Sequence, residues 1–282
     1  MNRLPLEDRV RVLAALVEGN SIRGTSRLTG AAKGTILKLL AEVGDACDRY
    51  HDETMQNLSC VRVQLDEIWS FCHAKERNLP REYRGDDRYG DLWTWTVIDA
   101  DTKLIVSWHL GKRTLADAHY FVRDLSRRIT SHVQISTDGF NRYKEPIQRY
   151  FRIRGDHGTE VKVFGFDDDN PERKYSPLIV KEVVRTRVFG APDPEHISTA
   201  FVERNNLTMR MSMRRFTRLT NAFSKKAQNL QRALALHFMY YNFCRIHHTL
   251  KTTPAIAHGV TDRLWRLDDL ANLPDFIAGL AA

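Results

Sequence analysis

Apolar residues recur at helical spacing in the first fifty positions of the chain. In residues 7–18 they stand three or four positions apart, and Gly19 ends the pattern as a helix stop should. Ser21 can cap a second, short helix, and Gly30 offers a tight turn before a third apolar stripe in residues 32–43. The pattern therefore predicts three short helices joined by tight turns.

Three helices in this layout are typical of a helix-turn-helix. The last helix would present Lys33, Thr35 and Lys38 toward a DNA groove or toward phosphates. Residues 1–43 carry seven cations and four acids, which favours DNA binding. A plain three-helix bundle used for packing is the alternative.

The period changes from helical to alternating at residue 61. The run VRVQLDEIW places Val63 and Leu65 on one face and Gln64 and Asp66 on the other, as a half-buried strand would. Two further strand-like runs, DLWTWTVI and KLIVSWHL, flank a turn-rich segment and predict a hairpin.

Helical and extended patterns then alternate to the end of the chain. Residues 114–129 form one apolar stripe, and HVQISTDG predicts a short strand that ends at Asp138. In the next predicted helix, Pro146 must lie in the first turn or cause a kink. Residues 152–198 contain strand-like runs, and helical spacing returns from Ser198. This order of elements predicts a mixed α/β domain.

Length and composition fit a globular protein. A chain of 282 residues can hold one domain of roughly 150 to 200 residues with one or two small appendages. The sequence has neither a long uncharged apolar run nor the apolar core of a signal peptide at its start, so we expect a cytoplasmic protein without a membrane span. The four scattered cysteines favour reduced thiols over disulfides or a structural zinc site.

Positive charge is concentrated in one tenth of the chain. The formal net charge is +8, and residues 200–226 alone hold seven cations and one acid, Glu203. Such a stretch favours a polyanionic partner. We predict DNA contacts at a set of basic residues that includes one cation near the end of the chain: Arg204, Arg210, Arg214, Arg215, Arg218, Lys225, Lys226 and Arg245.

Three carboxylates form the strongest chemical pattern. Asp66 and Asp138 stand at the ends of strand-like runs, and Glu203 begins the basic helix, where Arg210 and Arg214 would share its face if residues 200–216 are helical. Carboxylate oxygens suit Mg²⁺, which keeps several waters and needs few protein ligands. A basic amphipathic helix that merely contains a glutamate is an equally weighted alternative.

Neighbouring residues offer weaker alternatives. Glu67 follows Asp66 directly, but alternation would send it to the opposite sheet face. Asp99 is expected to be a turn residue. Trp69, Trp93 and Trp95 could stack on unpaired bases, although core packing is the favoured interpretation.

Long motifs resemble the DDE-class insertion-sequence transposases, specifically the insertion-sequence-one family. They cover almost the whole chain and include LDEIWSFC, WTWTVIDADTKLIVSW, STDG, STAFVERNNLTMRMSMRRFTRLTNAFSKK and MYYNFCRIHHTLKTTPA. The resemblance implies that Asp66, Asp138 and Glu203 are the catalytic triad and hold two Mg²⁺ or Mn²⁺ ions. It also implies that Arg210 contacts DNA phosphate.

The same resemblance implies an architecture and a reaction. A ribonuclease-H-like core, a mixed five-stranded sheet flanked by helices, is expected in residues 58–225, with an insertion at about 152–198. A helix-turn-helix would occupy residues 1–50 and a helical extension residues 226–282. The implied reaction is cleavage at element ends and transfer of the 3′-hydroxyl into target DNA by a homodimer or larger assembly. A nuclease of the same fold and a domesticated DNA-binding regulator are the alternatives.

Overall fold

The computed structural model describes residues 3–165, 179–217 and 221–280. The helices in these ranges are α1 Leu6–Val17, α2 Ile22–Thr29, α3 Lys33–Thr54, α4 Leu115–Arg128, α5 Lys144–Phe151, α6 Ala200–Ser212, α7 Ala227–Met239, α8 Pro254–His258 and α9 Leu267–Leu280. The strands are β1 Arg62–Cys72, β2 Gly90–Asp99, β3 Ile105–Gly111, β4 Val133–Thr137, β5 Gly155–Gly165 and β6 Ile179–Phe189. Among the described helices, none is both long and apolar enough to cross a bilayer.

One mixed sheet organises the fold, and helices flank it. The strand order is β3-β2-β1-β4-β5-β6, in which β1, β4 and β5 are parallel and the other pairings are antiparallel. The described residues form six strands rather than the five predicted for the core, and β6 is one of the strand-like runs predicted in residues 152–198. The sixth strand, β6, pairs with β5 along its length, and the outer part of this hairpin is exposed to solvent.

The first three helices follow the predicted turn chemistry. The Ser21 side chain caps α2 by accepting a hydrogen bond from the Gly24 amide, and Gly30 ends α2 with a φ of 74°. Helix α3 continues beyond the predicted stripe to Thr54, because its buried face continues through Cys47 to His51. The three predicted helices are therefore confirmed, while their use as a DNA-binding module remains a prediction.

Hydrophobic packing joins the two ends of the chain to the sheet. One buried cluster contains Leu40 and Val43 of α3, Leu65 of β1, Leu236 of α7 and Leu270 of α9. Helix α3 packs against both α7 and α9, and α1 also contacts α9. The N-terminal and C-terminal helices thus share one core with the sheet, and the three-part division of the chain remains a prediction.

Several local predictions in the middle of the chain are confirmed. Helix α4 covers the predicted stripe, and Pro146 lies in the first turn of α5. Trp95 is fully buried and packs edge-on against Tyr143, while its indole N–H donates to the carbonyl of Lys112. Core packing is therefore the role of this tryptophan.

Candidate metal centre

Asp66 and Asp138 lie side by side on neighbouring parallel strands. Leu65 of β1 pairs with Thr137, the last residue of β4, so the two aspartates are the next residues at the same level. Asp66 does not end its strand as predicted, because β1 stays paired with β2 as far as Cys72. Beyond Leu65, however, β1 is no longer paired with β4.

Three carboxylates converge at this level. One oxygen each from Asp66, Glu67 and Asp138 lie within 4.8 Å of one another. The alternation of the strand predicts that Glu67 points away from Asp66. Glu67 does have different hydrogen-bond partners from Asp66, but one of its oxygens still lies within the group of carboxylates. The Glu67 oxygens accept hydrogen bonds from Tyr143 Oη at 2.8 Å and from Arg113 Nε at 2.6 Å.

Helix α6 is anchored against β1 by two amide side chains. Gln64 Oε1 accepts hydrogen bonds from the backbone N–H groups of Phe201 and Val202, at 2.7 and 3.1 Å, in the first turn of the helix. One turn later, Asn206 Nδ2 donates to Asp66 Oδ2 at 2.7 Å. The Gln64 contacts satisfy two free N–H groups at the start of the helix, and the Asn206 contact holds the helix against Asp66.

Glu203 lies on α6 between the two anchors but outside the group of three carboxylates. Its side chain is 44% exposed, pairs with Lys162 Nζ and accepts a hydrogen bond from Thr199 Oγ1 at 2.7 Å. Its negative charge is near enough to raise the pKa of Asp66. The structure therefore places Glu203 beside the aspartates, with a lysine as its present counter-charge.

The surroundings of Asp66 disfavour its ionised form. Burial, followed by the neighbouring charge of Glu67, raises the pKa of Asp66 to about 7, and Asp138 and Glu203 add smaller contributions. Burial also raises the pKa of Glu67, although Arg113 opposes this shift. A group of carboxylates that resist ionisation together is suited to binding a cation.

Glu160 extends the row of carboxylates and was not predicted. Thr159 of β5 pairs with Thr137, so Glu160 stands one strand beyond Asp138 at the same level. It is buried, accepts from the N–H and hydroxyl of Thr199, and pairs with Arg185. The strand-like run EVKVFGF that it opens could have indicated it, but only together with the register between β4 and β5.

The residues of this centre fit hard divalent cations. All the donors are carboxylate oxygens, which Mg²⁺ and Mn²⁺ prefer. Asp66 and Glu67 belong to β1, Asp138 directly follows β4, and Glu203 belongs to the anchored helix. Asp66, Asp138 and Glu67 offer the closest set, and Glu203 could join them if its carboxylate leaves Lys162. Tyr143 and Arg113 would hold Glu67 beside the ions.

A second group of possible metal ligands lies at the other end of the β1–β2 pair. Cys60, Asp99 and His258 have ligand atoms within 4.8 Å of one another. Asp99 accepts hydrogen bonds from the N–H groups of Asp101 and Thr102, which confirms its predicted role in a turn. Although burial opposes it, hydrogen bonding to His258 and these amides lowers the pKa of Asp99. This group ties the C-terminal part to the β2–β3 turn.

The predicted DNA-contact residues divide by exposure. Three lie exposed near the start of α3, namely Lys33, Thr35 and Lys38, and five more are exposed elsewhere, namely Arg204, Arg214, Lys225, Lys226 and Arg245. Arg210 and Arg215 are half-buried, and Arg218 lies outside the described residues. Arg214 does not share the helical face of Glu203 as predicted, because α6 ends where Met213 adopts an extended backbone.

Comparison with known proteins finds similarity to solved structures but to no other kind of known protein. No family model and no curated protein matches the chain. The structure of piggyBac transposase in a synaptic complex with hairpin DNA is 12% identical over 98% of this chain and 73% of that one, with a TM-score of 0.39. A likeness of this degree carries no argument about function, which has to rest on the residues themselves.

Proposed function

We propose that this protein is a metal-dependent DNA transposase that cleaves element ends and joins them to target DNA. One observation carries the proposal: Asp66 and Asp138 are level on adjacent parallel strands, and Asn206 fastens the helix that bears Glu203 to Asp66. The long motifs of the sequence converge on the same three carboxylates. The basic residues around α6 supply the charge that a phosphodiester chain requires.

The chemistry consists of two displacements at phosphorus. In the first, a water oxygen attacks, the bond to the 3′-oxygen breaks, and a 3′-hydroxyl and a 5′-phosphate result. In the second, that hydroxyl attacks a target phosphate and forms a new ester, while the target strand leaves with its own 3′-hydroxyl. Two Mg²⁺ ions held by the carboxylates would supply activation of the attacking oxygen and stabilisation of the leaving one.

The protein's own groups position this chemistry. Asp66 and Asp138 hold their oxygens at one level of the sheet, Gln64 and Asn206 fix α6, and Glu203 can turn from Lys162 toward the aspartates. Burial and the neighbouring carboxylates raise the pKa of Asp66 to about 7, and a bound cation would favour its ionised form. The exposed cations of α6 and the following segment would neutralise phosphates beside the site.

Finer assignments belong to the same proposal. We assign the sheet and its helices to a ribonuclease-H-like core of the insertion-sequence-one type, with α1 to α3 as a DNA-reading module. The core would occupy residues 58–225 and a helical extension residues 226–282. Because joining requires two element ends to meet, a homodimer or larger assembly is expected.

The decisive test uses a plasmid that carries the coding sequence with its native flanking DNA as donor and a second, supercoiled plasmid as target. A transposase yields joined product in Mg²⁺ and none in EDTA. Cleavage without joined product would replace the proposal with a nuclease. Binding of the flanking DNA with neither reaction would leave a DNA-binding regulator.

A further inference from the structure

A large cleft separates the N-terminal helices from the segment that links α6 to α7. Its volume is about 1000 Å³, which is at the upper end for a ligand pocket. The walls come from the end of α1, the start of α2 and α3, residues 212–215, residues 221–226 and α7. Neither the aspartates nor Glu203 belong to it, so it is distinct from the candidate metal centre.

The rim of this cleft is strongly basic. Six cations line it, namely Arg23, Lys33, Arg214, Arg215, Lys225 and Lys226, and no acid occurs among the described lining residues. Desolvation lowers the pKa of Arg215 to about 10, so its guanidinium remains charged at neutral pH. Charge complementarity therefore points to a polyanion as the occupant rather than to an ordinary protein surface.

The interior of the cleft is apolar, which a phosphate site alone would not need. Leucine, isoleucine, methionine and phenylalanine side chains line it, among them Leu37, Met213 and Phe223. Phe223 stacks on Phe71 of β1 with ring centroids 5.1 Å apart, so its position is fixed. A flat apolar group with a negatively charged tail matches this combination of walls and rim.

Two buried polar side chains at the cleft have no hydrogen-bond partner within the described part of the chain. His237 and Ser224 are each 4% exposed, and both ring nitrogens of His237 and the hydroxyl of Ser224 are unpartnered there. Leaving such groups unsatisfied costs free energy, so a ligand that pairs with them gains affinity. Burial lowers the pKa of His237 to about 3, so the neutral ring offers one donor and one acceptor.

We propose that this cleft receives an unstacked nucleotide of a DNA strand. The base would lie in the apolar interior with its edge against His237 and Ser224, and its phosphates would contact the basic rim. The cleft opens at Ser212, nine residues beyond Glu203 along α6, and hence about 14 Å away by the helical rise. A strand held at the carboxylates would reach it within about four stacked nucleotides. The inference rests on the proposed function only in naming DNA as the partner.

The test measures base preference without turnover. Full-length protein in EDTA is titrated with a short thymidine oligonucleotide and with an abasic oligonucleotide of equal length, and fluorescence anisotropy follows binding. Because stacking contributes about 1–3 kcal/mol per base, the thymidine strand should bind roughly 5- to 150-fold more tightly than the abasic strand. Equal affinities for the two strands would overturn the proposal.

Two kinds of variant separate base contacts from phosphate contacts. His237→Leu and Ser224→Ala should each reduce the thymidine-to-abasic ratio at least about fivefold with little change in abasic binding, since only base-edge bonds are lost. Lys225→Gln and Lys226→Gln should weaken both strands alike, whereas Arg127→Gln on the exposed face of α4 should change neither. Thermal unfolding verifies that each variant is folded, and Ser224→Ala, which removes a single oxygen, provides an independent test if His237→Leu misfolds.

Unchanged ratios in both base-contact variants would contradict the assignment. Unchanged affinity of the two lysine variants for both strands would also contradict the assignment. An acidic protein segment would then be the remaining candidate for the cleft. Because the titration excludes metal, its outcome is independent of catalysis. If the protein binds the thymidine strand more tightly than the abasic strand but yields no joined product in the plasmid assay, the transposase proposal is refuted and the proposal for the cleft stands.

Discussion

At the scale of single residues, the charge of Asp66 is the most informative property of the site. Its pKa lies near 7 because the side chain is buried next to other carboxylates. The native state therefore holds this proton more tightly than the unfolded chain does. The protonated side chain makes its full contribution to the free energy of unfolding below about pH 4. This contribution is lost as the pH rises through about 7.

Asp66→Asn should therefore stabilise the metal-free protein. The gain should be absent near pH 4 and reach roughly 1–3 kcal/mol at about pH 8, where the wild type must ionise a crowded carboxylate. Asparagine can still accept the hydrogen bond of Asn206. Denaturant unfolding in EDTA at both pH values measures the difference, and an equal or lower stability at the higher pH would show that the charge is already compensated.

The adjacent acid, Glu67, should behave differently from Asp66 in catalysis. Tyr143 and Arg113 occupy its oxygens, so Glu67→Gln should lower Mg²⁺-dependent DNA cleavage by about tenfold or less. Asp66→Asn should lower it by about a thousandfold or more, equivalent to about 4 kcal/mol of the barrier. Single-turnover cleavage compares the two, and a folded Glu67→Gln that is as inactive as Asp66→Asn would make Glu67 a principal ligand.

At the scale of elements, α6 and the basic segment after it divide their tasks. The helix is fastened to β1 and presents Glu203, whereas Arg214 follows the helix end and lies exposed at the cleft. Arg214 would therefore bind phosphate without displacing the carboxylates.

Arg214→Gln should weaken DNA binding and flatten its dependence on salt. Each lost phosphate contact should reduce the slope of log K against log salt by about one, because fewer counterions are released. Arg127→Gln, which removes a cation from the exposed face of α4, serves as the control. A salt slope that is the same in both variants would mean that Arg214 does not contact DNA.

The elements that sequence predicts correctly are those fixed by local chemistry. Ser21 and Gly30 delimit α2 through capping and a left-handed turn, and Asp138 follows its strand as expected. The contacts of Gln64 and Asn206, in contrast, depend on where α6 lies over β1, which no local pattern contains.

Long-range pairing also explains the wrong predictions. Glu160 joins the row of carboxylates only through the register of β5 on β4, and the position of β6 at the edge of the sheet follows from its pairing with β5. The end of the apolar alternation predicts a strand end at Asp66, but pairing with β2 continues β1 to Cys72. Register and helix placement are therefore the parts of the site that the sequence alone does not provide.

At the scale of the whole molecule, the packing of α3 on α7 ties the N-terminal helices to the rest. Gly44 allows this approach, since a β-carbon there would lie 2.7 Å from the backbone oxygen of Arg232. Gly34, in the same helix, has nothing within 4 Å of an added β-carbon. The two glycines form a matched pair for testing whether the ends of the chain unfold together.

Gly44→Ala should destabilise the protein by about 1–3 kcal/mol, because the methyl group forces α3 away from α7. Gly34→Ala should be neutral or stabilising by up to about 1 kcal/mol through helix propensity. Unfolding followed by circular dichroism and by tryptophan fluorescence should give one coincident transition in each case. A transition of the N-terminal helices that separates from that of the sheet would contradict a shared core.

The central claim, that three carboxylates hold cations against a phosphodiester, is tested most directly by the plasmid cleavage assay in Mg²⁺. Asp66→Asn, Asp138→Asn and Glu203→Gln should each lose about a thousandfold or more of the rate, while DNA binding in EDTA changes by less than about twofold. The exposed controls Asp87→Asn and Glu195→Gln should cleave like the wild type. Retention of turnover by any of the three variants would contradict the account.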